Sequence, residues 1–380
     1  MTAAHRDAGR VLMTADWVVG HQDGAHVLLP GGEVVFEKGE ILFVGRGFDG
    51  AVDRRVDYGP ALIGPGFIDL DALSDLDTTI LGYDNGPAWK KGRVWPETYV
   101  ARGPYEMYAP EELAFQKRHA FAQLIRNGIT TALPIASLFY REWGETVAEF
   151  EAAADAAETL GLRVYLGPAY RTGGQVSDDT GTIRAIYDEP RGLRGLEDAA
   201  KFAARIEGRA GGRIRAMFAP DRIETCTEAL LQRTAALATE MGAPVRQHCC
   251  QSPTELRLVR EQHGLAPIQW LDQIGALGPN WLLPHGTHAT EAEFDLIAAT
   301  GATLVHCPLV SARHGGTLRS FPRCRARGIN IGLGTDTHPA DMILNMQIGM
   351  MTARIADGVE AIRSEAMFDA ATLGGAQALG

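Results

Sequence analysis

The chain has 380 residues, of which 46% are hydrophobic and 22% charged, with a formal net charge of −11 at pH 7. This composition excludes a disordered chain, and no apolar run approaches the roughly 18 residues of a membrane helix. The negative charge and the lack of a long basic run exclude nucleic acid and anionic membranes as expected partners. Residues 1–10 contain no secretory signal and the cysteines form no paired motif, so we expect a cytoplasmic protein with free thiols.

The N-terminal region reads as short β-strands without a helical period. Val34–Phe36 and Ile41–Val44 flank the turn-forming segment Glu37–Glu40, which is typical of a β-hairpin. We therefore predict a small β-sandwich-like domain over residues 1–61.

From residue 62 onward, apolar strands alternate with amphipathic helices. The predicted strands are 62–70, 129–135, 162–168, 213–219, 243–248, 280–285, 302–307 and 329–335. Most are continuous apolar runs, as expected for parallel strands that are buried on both faces. Eight such repeats predict an α/β fold, a (β/α)8 TIM barrel over residues 62–380. An open doubly wound sheet is the alternative, but no Gly-x-Gly-x-x-Gly follows a first strand.

Helix boundaries support this interpretation. Pro110 begins a helix that Gly128 ends. Ser252-Pro-Thr-Glu255 and Thr290-Glu-Ala-Glu293 each match a capping box directly after a strand.

Polar side chains stand where the predicted strands end, the face on which barrels carry their function. They are Asp69 and Asp71 after strand one, Arg171 after strand three, Glu224 after strand four, His248 and Gln251 after strand five, His285 and His288 after strand six, His306 on strand seven, and Asp336 and His338 after strand eight. Imidazole and carboxylate together suit zinc, iron or manganese, and also acid–base catalysis. One histidine at a strand end is usually structural, so the convergence of four strand ends carries the prediction.

Several segments together resemble the amidohydrolase superfamily. They are Ile63–Asp69, His248, Leu283–His288, Val305–Pro308 and Gly332–Asp336, in the order of the family. The resemblance is greatest to the branch of cytosine deaminase and chlorohydrolase-like hydrolases. It implies a small β-domain before a barrel, and an enzyme that binds one zinc or iron ion and hydrolyses C–N bonds.

The first metal motif departs from the family pattern. The His-x-His of the family is replaced by Asp71 and Leu73, of which only the carboxylate can bind a metal. The resemblance implies His248 and Asp336 as metal ligands, and we add Asp71 as a third. It also implies that His285 contacts the attacking water or the substrate. We predict His248, His285 and Asp336 as the catalytic residues, with Asp336 as the base.

The predicted substrate-binding residues are Trp89, Arg171, Gln251 and Glu224. Trp89 lies in a long connection rich in Trp, Tyr and Arg, which is typical of a pocket wall but equally of a surface loop or a subunit interface. Arg171 is placed to pair with an anionic group. Gln251 stands where the family has a proton-shuttling Glu, and an amide cannot titrate.

These residues predict a hydrolase of a non-peptide C–N bond that acts on a small molecule, for which a planar and anionic one is a candidate. The mechanism would be metal-assisted activation of water. The alternative is a metal-free barrel that performs acid–base chemistry or binds a ligand. Exchanging imidazoles for a carboxylate predicts a divalent ion that is held weakly, or none.

A small-molecule substrate is the expected partner, and a homodimer is a candidate assembly. Relatives continue beyond Leu379 into strands that return to the small domain. We therefore expect either an incomplete small domain or a sequence that is a fragment.

Overall fold

The computed structural model describes residues 9–74, 94–96, 108–135, 144–318, 321–336 and 339–380. The chain forms two compact units, Met1–Gly66 and Phe67–Gly380. This division falls after Gly66, whereas the sequence analysis placed it after residue 61.

The first unit consists of short strands. They are β1 Val11–Thr14, β2 Trp17–Gln22, β3 Ala25–Pro30, β4 Glu33–Glu37, β5 Glu40–Gly45, β6 Arg54–Asp57 and β7 Leu62–Ile63. One sheet has the order β5-β4-β1-β6 and the other the order β3-β2-β7. The predicted hairpin is present as the antiparallel pair β4 and β5. Its turn residues Lys38 and Gly39 have φ angles of 52° and 87°, as a tight hairpin turn requires.

The second unit contains β8 Phe67–Leu73, β9 Val94–Pro96, β10 Ile129–Ile135, β11 Arg163–Leu166, β12 Ala169–Tyr170, β13 Gly173–Ser177, β14 Ile183–Tyr187, β15 Ile214–Ala216, β16 Ala219–Pro220, β17 Val245–Arg246, β18 Trp281–Pro284, β19 Thr303–His306 and β20 Ile331–Leu333. Eight of these form a sheet of order β15-β11-β10-β8-β20-β19-β18-β17. A parallel bridge between Phe218 and Val245 joins its two ends. The sheet is therefore closed, and the predicted barrel is confirmed.

The predicted strand 62–70 was wrong in its bounds. Leu62–Ile63 pairs with Trp17–Val18 of the first unit, and the first barrel strand begins only at Phe67. Gly64-Pro65-Gly66 separates the two strands, because proline cannot donate to a ladder and glycine weakens it. As a result β8 extends further along the chain and carries both Asp69 and Asp71.

Helices follow most barrel strands. They are α1 Pro110–Arg126, α2 Val147–Leu160, α3 Glu189–Ile206, α4 Arg209–Gly212, α5 Glu228–Met241, α6 Pro253–His263, α7 Pro267–Gln273, α8 Glu291–Thr300, α9 Pro308–Arg313, α10 Phe321–Ala326, α11 Met342–Asp357, α12 Ser364–Ala371 and α13 Leu373–Leu379, with 3-10 turns at Ile223–Thr225 and Val359–Ala361. The predicted helix start at Pro110 is confirmed, and Gly128 lies just beyond its end with a φ of 78°. No described helix combines the length and the apolar character needed to cross a membrane.

Two apolar clusters fill this unit. The larger joins the helices to the outward-facing residues of the strands. The smaller contains Leu70, Leu133, Tyr165, Leu282 and Val305 from five different barrel strands. Successive residues of a strand face opposite sides of a sheet, and this smaller cluster lies inside the barrel. A register shift between β8 and β10 adds one residue to β8 after Asp69, so that the neighbours Leu70 and Asp71 both face inward. The strand-end polar groups therefore lie next to a packed apolar interior.

Candidate metal centre and active site

Asp71 and His248 form one side of the strand-end cluster. Asp71 is fully buried on β8, and its Oδ1 is 3.5 Å from Nε2 of His248 and 3.4 Å from Nε of Arg246. The thiol of Cys307 donates to Oδ2 at 3.7 Å. Burial alone would raise the pKa of Asp71, but His248, Arg246 and His285 hold it below its ordinary value. The group is therefore a carboxylate inside the barrel.

His285 and Asp336 form the opposite side of the cluster. Nε2 of His285 is 3.6 Å from Oδ2 of Asp336, and the His285 ring centroid is 5.5 Å from that of His248. His285 and Asp336 have φ angles of 79° and 56°. Such left-handed conformations are uncommon outside glycine, and they concentrate at functional sites. The amide of Asp336 donates to the carbonyl of Asp71 at 2.7 Å, which ties the two sides together.

Metal-ligating atoms form two overlapping groups here. The first is Asp71, His248 and His285, and the second is His285, Cys307 and Asp336; within each, the atoms lie within 4.8 Å of one another. His248, Asp336 and Asp71 are the ligands predicted from the sequence, and His285 was predicted to contact water or substrate. His285 belongs to both groups, and the choice of ligands stays a prediction.

The donor atoms fit a divalent ion. Asp71 Oδ1 and His248 Nε2 are buried, and among the described residues neither completes a hydrogen bond. Their separation of 3.5 Å matches the spacing of about 3 to 3.5 Å between ligands that surround one zinc ion at about 2 Å. Nδ1 of His248 lies 3.4 Å from the carbonyl of Asp221, and such a partner orients the ring of a ligating histidine.

Asp69 stabilises the site through hydrogen bonds that we call the brace. Its carboxylate accepts hydrogen bonds from the Thr335 amide at 3.0 Å, the Thr335 hydroxyl at 2.6 Å and the Asp71 amide at 3.2 Å. These bonds connect β8 to the segment after β20. They fix the positions of Asp71 and Asp336 relative to each other.

Sequence reasoning missed Arg246 and Cys307. Arg246 is buried on β17, and its Nη1 donates to the carbonyls of Leu133 and Pro134 at 2.8 and 3.1 Å. The sequence did contain a signal for Arg246, which is a charged residue inside the predicted strand 243–248. A buried arginine needs an acidic or carbonyl partner, so this position pointed to a polar group inside the barrel. Cys307 directly follows β19 and carried no comparable signal.

The predicted substrate-binding residues have different surroundings. Arg171 is buried and pairs with Asp221 at 3.1 Å, and Glu224 is buried and pairs with Arg222 at 3.0 Å. Each would therefore meet a substrate as part of an ion pair. Trp89 and His338 lie outside the described residues.

Gln251 is half-buried, and its neighbourhood holds an unassigned carboxyl group. Of the two predicted capping boxes, Thr290–Glu293 forms completely. At Ser252 only half of the box forms: the Glu255 amide donates to the Ser252 hydroxyl oxygen. The Glu255 carboxylate accepts instead from the amides of Cys250 and Gln251 at 2.5 and 2.9 Å. Burial, and then the charge of Glu224, raise the pKa of Glu255 to about 8.

His306 does not join the site. It is buried, its ring lies 5.6 Å from that of Phe321, and burial lowers its pKa to about 3. Alternation along β19 explains the difference, since Val305 and Cys307 face the inside of the barrel and His306 faces the helices.

Comparison with known proteins identifies the family of the chain. The model of the amidohydrolase family matches residues 71–380, so the chain belongs to the amidohydrolase family. The predicted superfamily and an amidohydrolase-type hydrolase of C–N bonds are thereby confirmed, and the family indicates a divalent metal ion as cofactor.

One relative is the 5-methylthioadenosine/S-adenosylhomocysteine deaminase of Natronomonas pharaonis, 27% identical over 352 residues, which are 90% of this chain and 74% of that protein. A solved structure of similar fold is an adenosine deaminase from Xanthomonas campestris with bound zinc (TM-score 0.76, 22% identity, 98% of this chain and 80% of that chain). Another is a triazine hydrolase from Arthrobacter aurescens (TM-score 0.78, 17% identity, 98% and 83%).

Proposed function

We propose that this amidohydrolase is a deaminase of an amino-substituted nitrogen heterocycle, with adenine nucleosides as the first candidates. The relative named as a deaminase of 5-methylthioadenosine and S-adenosylhomocysteine supports this substrate class. The observation that carries the proposal is a pair of buried groups of ligand atoms at the strand ends, Asp71–His248–His285 and His285–Cys307–Asp336, which share His285.

We further propose zinc or iron as the ion, with His248, Asp336 and Asp71 as its ligands. Such an ion would supply the positive charge that lowers the pKa of water toward neutrality. The buried Oδ1 of Asp71 and Nε2 of His248 support this assignment, because ionised oxygen and imidazole nitrogen are ordinary zinc ligands. His285 lies close to Asp71 and His248 on one side and to Asp336 on the other, so its imidazole can contact the substrate at the carbon that is attacked.

Asp336 and His285 would handle the protons. Asp336 accepts a proton from the attacking water and returns it to the departing nitrogen, so that a C–O bond forms, the C–N bond breaks and ammonia leaves. His285, 3.6 Å from Asp336, stabilises the charge that develops on the ring. The amide of Gln251 cannot titrate and so cannot carry the proton. In this proposal Asp336 therefore both takes the proton from water and delivers it to the nitrogen.

We propose a cytoplasmic location and leave the homodimer as a prediction. The cysteines are all free and buried, which supports a reducing compartment. Light scattering on the purified protein would test the dimer.

A substrate panel tests the proposed reaction. Protein reconstituted with zinc or iron(II) should release ammonia from adenosine, 5′-methylthioadenosine or S-adenosylhomocysteine, and inosine, which lacks the exocyclic amine, is the matched control. Ammonia release from none of the three would contradict the substrate class. Equal turnover by metal-free protein would favour the alternative of metal-free acid–base chemistry.

A further inference from the structure

The guanidinium of Arg246 is a fixed cation inside the barrel. Arg246 is 3% exposed and reaches from β17 across to β10, where its Nη1 donates to the carbonyls of Leu133 and Pro134 at 2.8 and 3.1 Å. Its Nε lies 3.4 Å from Oδ1 of Asp71 on β8. Contacts with two other strands, β10 and β8, hold the charge in place, and the side chain is almost fully buried.

The same oxygen of Asp71 belongs to the candidate metal centre. Oδ1 is 3.5 Å from His248 Nε2, and both atoms lie in the group that could surround one ion. Two cations on one carboxylate oxygen in a dry interior repel each other strongly. An ion bound to Oδ1 would therefore have to displace the guanidinium from Asp71 or tolerate its charge.

We propose that Arg246 competes with the divalent ion for Asp71 and so lowers the metal affinity of this site. The inference rests on the proposed function, because it presupposes an ion at the strand-end cluster. Arg246 is thus an affinity-setting residue that acts through Asp71, and it contacts neither the substrate nor the reacting atoms. The chain would load metal only when zinc or iron is plentiful.

The alternative is that Arg246 has only a structural role and connects β17 to β10. Its two carbonyl contacts would suffice for that role, and Arg246 would then leave metal affinity unchanged. The two possibilities differ in a quantity that can be measured without any substrate, the dissociation constant for zinc.

Zinc titration of chelator-stripped protein separates them. The variants are Arg246→Gln, which keeps a hydrogen-bond donor but loses the charge, and Arg246→Lys, which keeps the charge and serves as control. We expect Arg246→Gln to bind zinc about tenfold more tightly or better, because a cation beside Asp71 is removed. Arg246→Lys keeps a positive charge near Asp71, so its zinc affinity should stay closer to that of the unmodified chain than the affinity of Arg246→Gln does.

A double-mutant cycle shows whether the effect passes through Asp71. The gain from Arg246→Gln should shrink by about threefold or more when Asp71→Asn is already present, because no carboxylate is then released. An equal gain in both backgrounds would overturn competition for Asp71.

Two further outcomes separate this inference from the proposed function. Unchanged zinc affinity in a folded Arg246→Gln variant overturns the role of Arg246 alone. No zinc binding by either protein overturns both this role and the metal-assisted reaction.

If Arg246→Gln does not fold, crystals of the unmodified chain soaked in zinc chloride give the answer. Competition predicts that the ion and Arg246 exclude each other. Either Asp71 turns to the ion and its contact with Arg246 opens, or the ion binds without Asp71. An ion on Asp71 Oδ1 with the 3.4 Å contact to Arg246 intact would overturn the proposal.

Discussion

The two sides of the candidate site compare differently with the family that the sequence resembles. On one side are His248, His285 and Asp336, for which the resemblance implies the residue types of the family at the ends of strands five, six and eight. On the other is Asp71, which stands where the resemblance implies an imidazole and whose carboxylate lies 3.4 Å from the guanidinium of Arg246. In our proposal the groups that move protons therefore follow the family pattern, and the departure concerns the group that would hold the ion.

The largest expected effect is on the retained side. Asp336→Asn should lower kcat by about 1,000-fold, because the base that moves the proton is lost. Ammonia release by metal-loaded protein measures this. Asp295→Asn, an exposed carboxylate that pairs with Arg327, is the matched control and should leave kcat unchanged. Substantial activity in Asp336→Asn would assign the proton transfer to another group.

The hydrogen bonds of Asp69, which connect β8 to the segment after β20, can be weakened without changing any of the proposed catalytic residues. Thr335→Val removes a buried hydroxyl that donates to Asp69 at 2.6 Å, and should lower the free energy of unfolding by about 1 to 3 kcal/mol. Urea denaturation measures the change. Thr180→Val removes a bond of the same length to Asp178 on an exposed turn, and should cost much less. Equal costs would mean that Asp69 does not hold the two sides together.

Restoring a family residue should sharpen the contrast. Gln251→Glu returns a titratable group to the end of strand five, and we expect kcat to rise by about tenfold because a second proton carrier becomes available. Steady-state kinetics at several pH values would show it as a new ionisation in the profile. If kcat does not change, Asp336 alone suffices for both proton transfers.

The remaining prediction concerns the pH dependence of stability, which is separate from catalysis and from the brace. Glu255 has a pKa raised from 4.5 to about 8, so the folded chain binds more protons than the unfolded chain between these values. Its contribution to stability is therefore complete below about pH 4.5 and is lost as the pH rises toward 8.

Glu255→Gln should flatten this decline, by at most about 1.4 kcal/mol per pH unit. Urea denaturation at pH 5, 6.5 and 8 measures it, with Glu261→Gln, an exposed partner of Arg257, as control. An unchanged decline in Glu255→Gln would place the ionisation on another group.

The sequence predicted the barrel for a simple reason. Parallel strands buried on both faces are continuous apolar runs, and the residues that end them must meet at one rim. Chain position therefore placed His248, His285 and Asp336 among the residues at that rim, and only the resemblance to the family implied a role for each. The first strand could not be bounded this way, because apolar residues on both sides of Gly64–Gly66 read as one run.

The contact between Asp71 and Arg246 could not be predicted from the sequence, because it joins two strands that lie across the barrel from each other. Whether Arg246 meets Asp71 is set by the tilt and stagger of β17 against β8, which no local pattern encodes. The pairing of Arg171 with Asp221 is likewise a contact between neighbouring strand ends, so an arginine expected to bind an anion lies beside a carboxylate of the protein.

The most direct test of metal-assisted hydrolysis is the rate of ammonia release from 5′-methylthioadenosine, measured as zinc is added in steps to chelator-stripped protein. The proposed function predicts no turnover without the ion. The rate should then rise with added zinc and level off when about one ion is bound per chain, which requires free zinc in excess. A rate that is the same with and without zinc would contradict it.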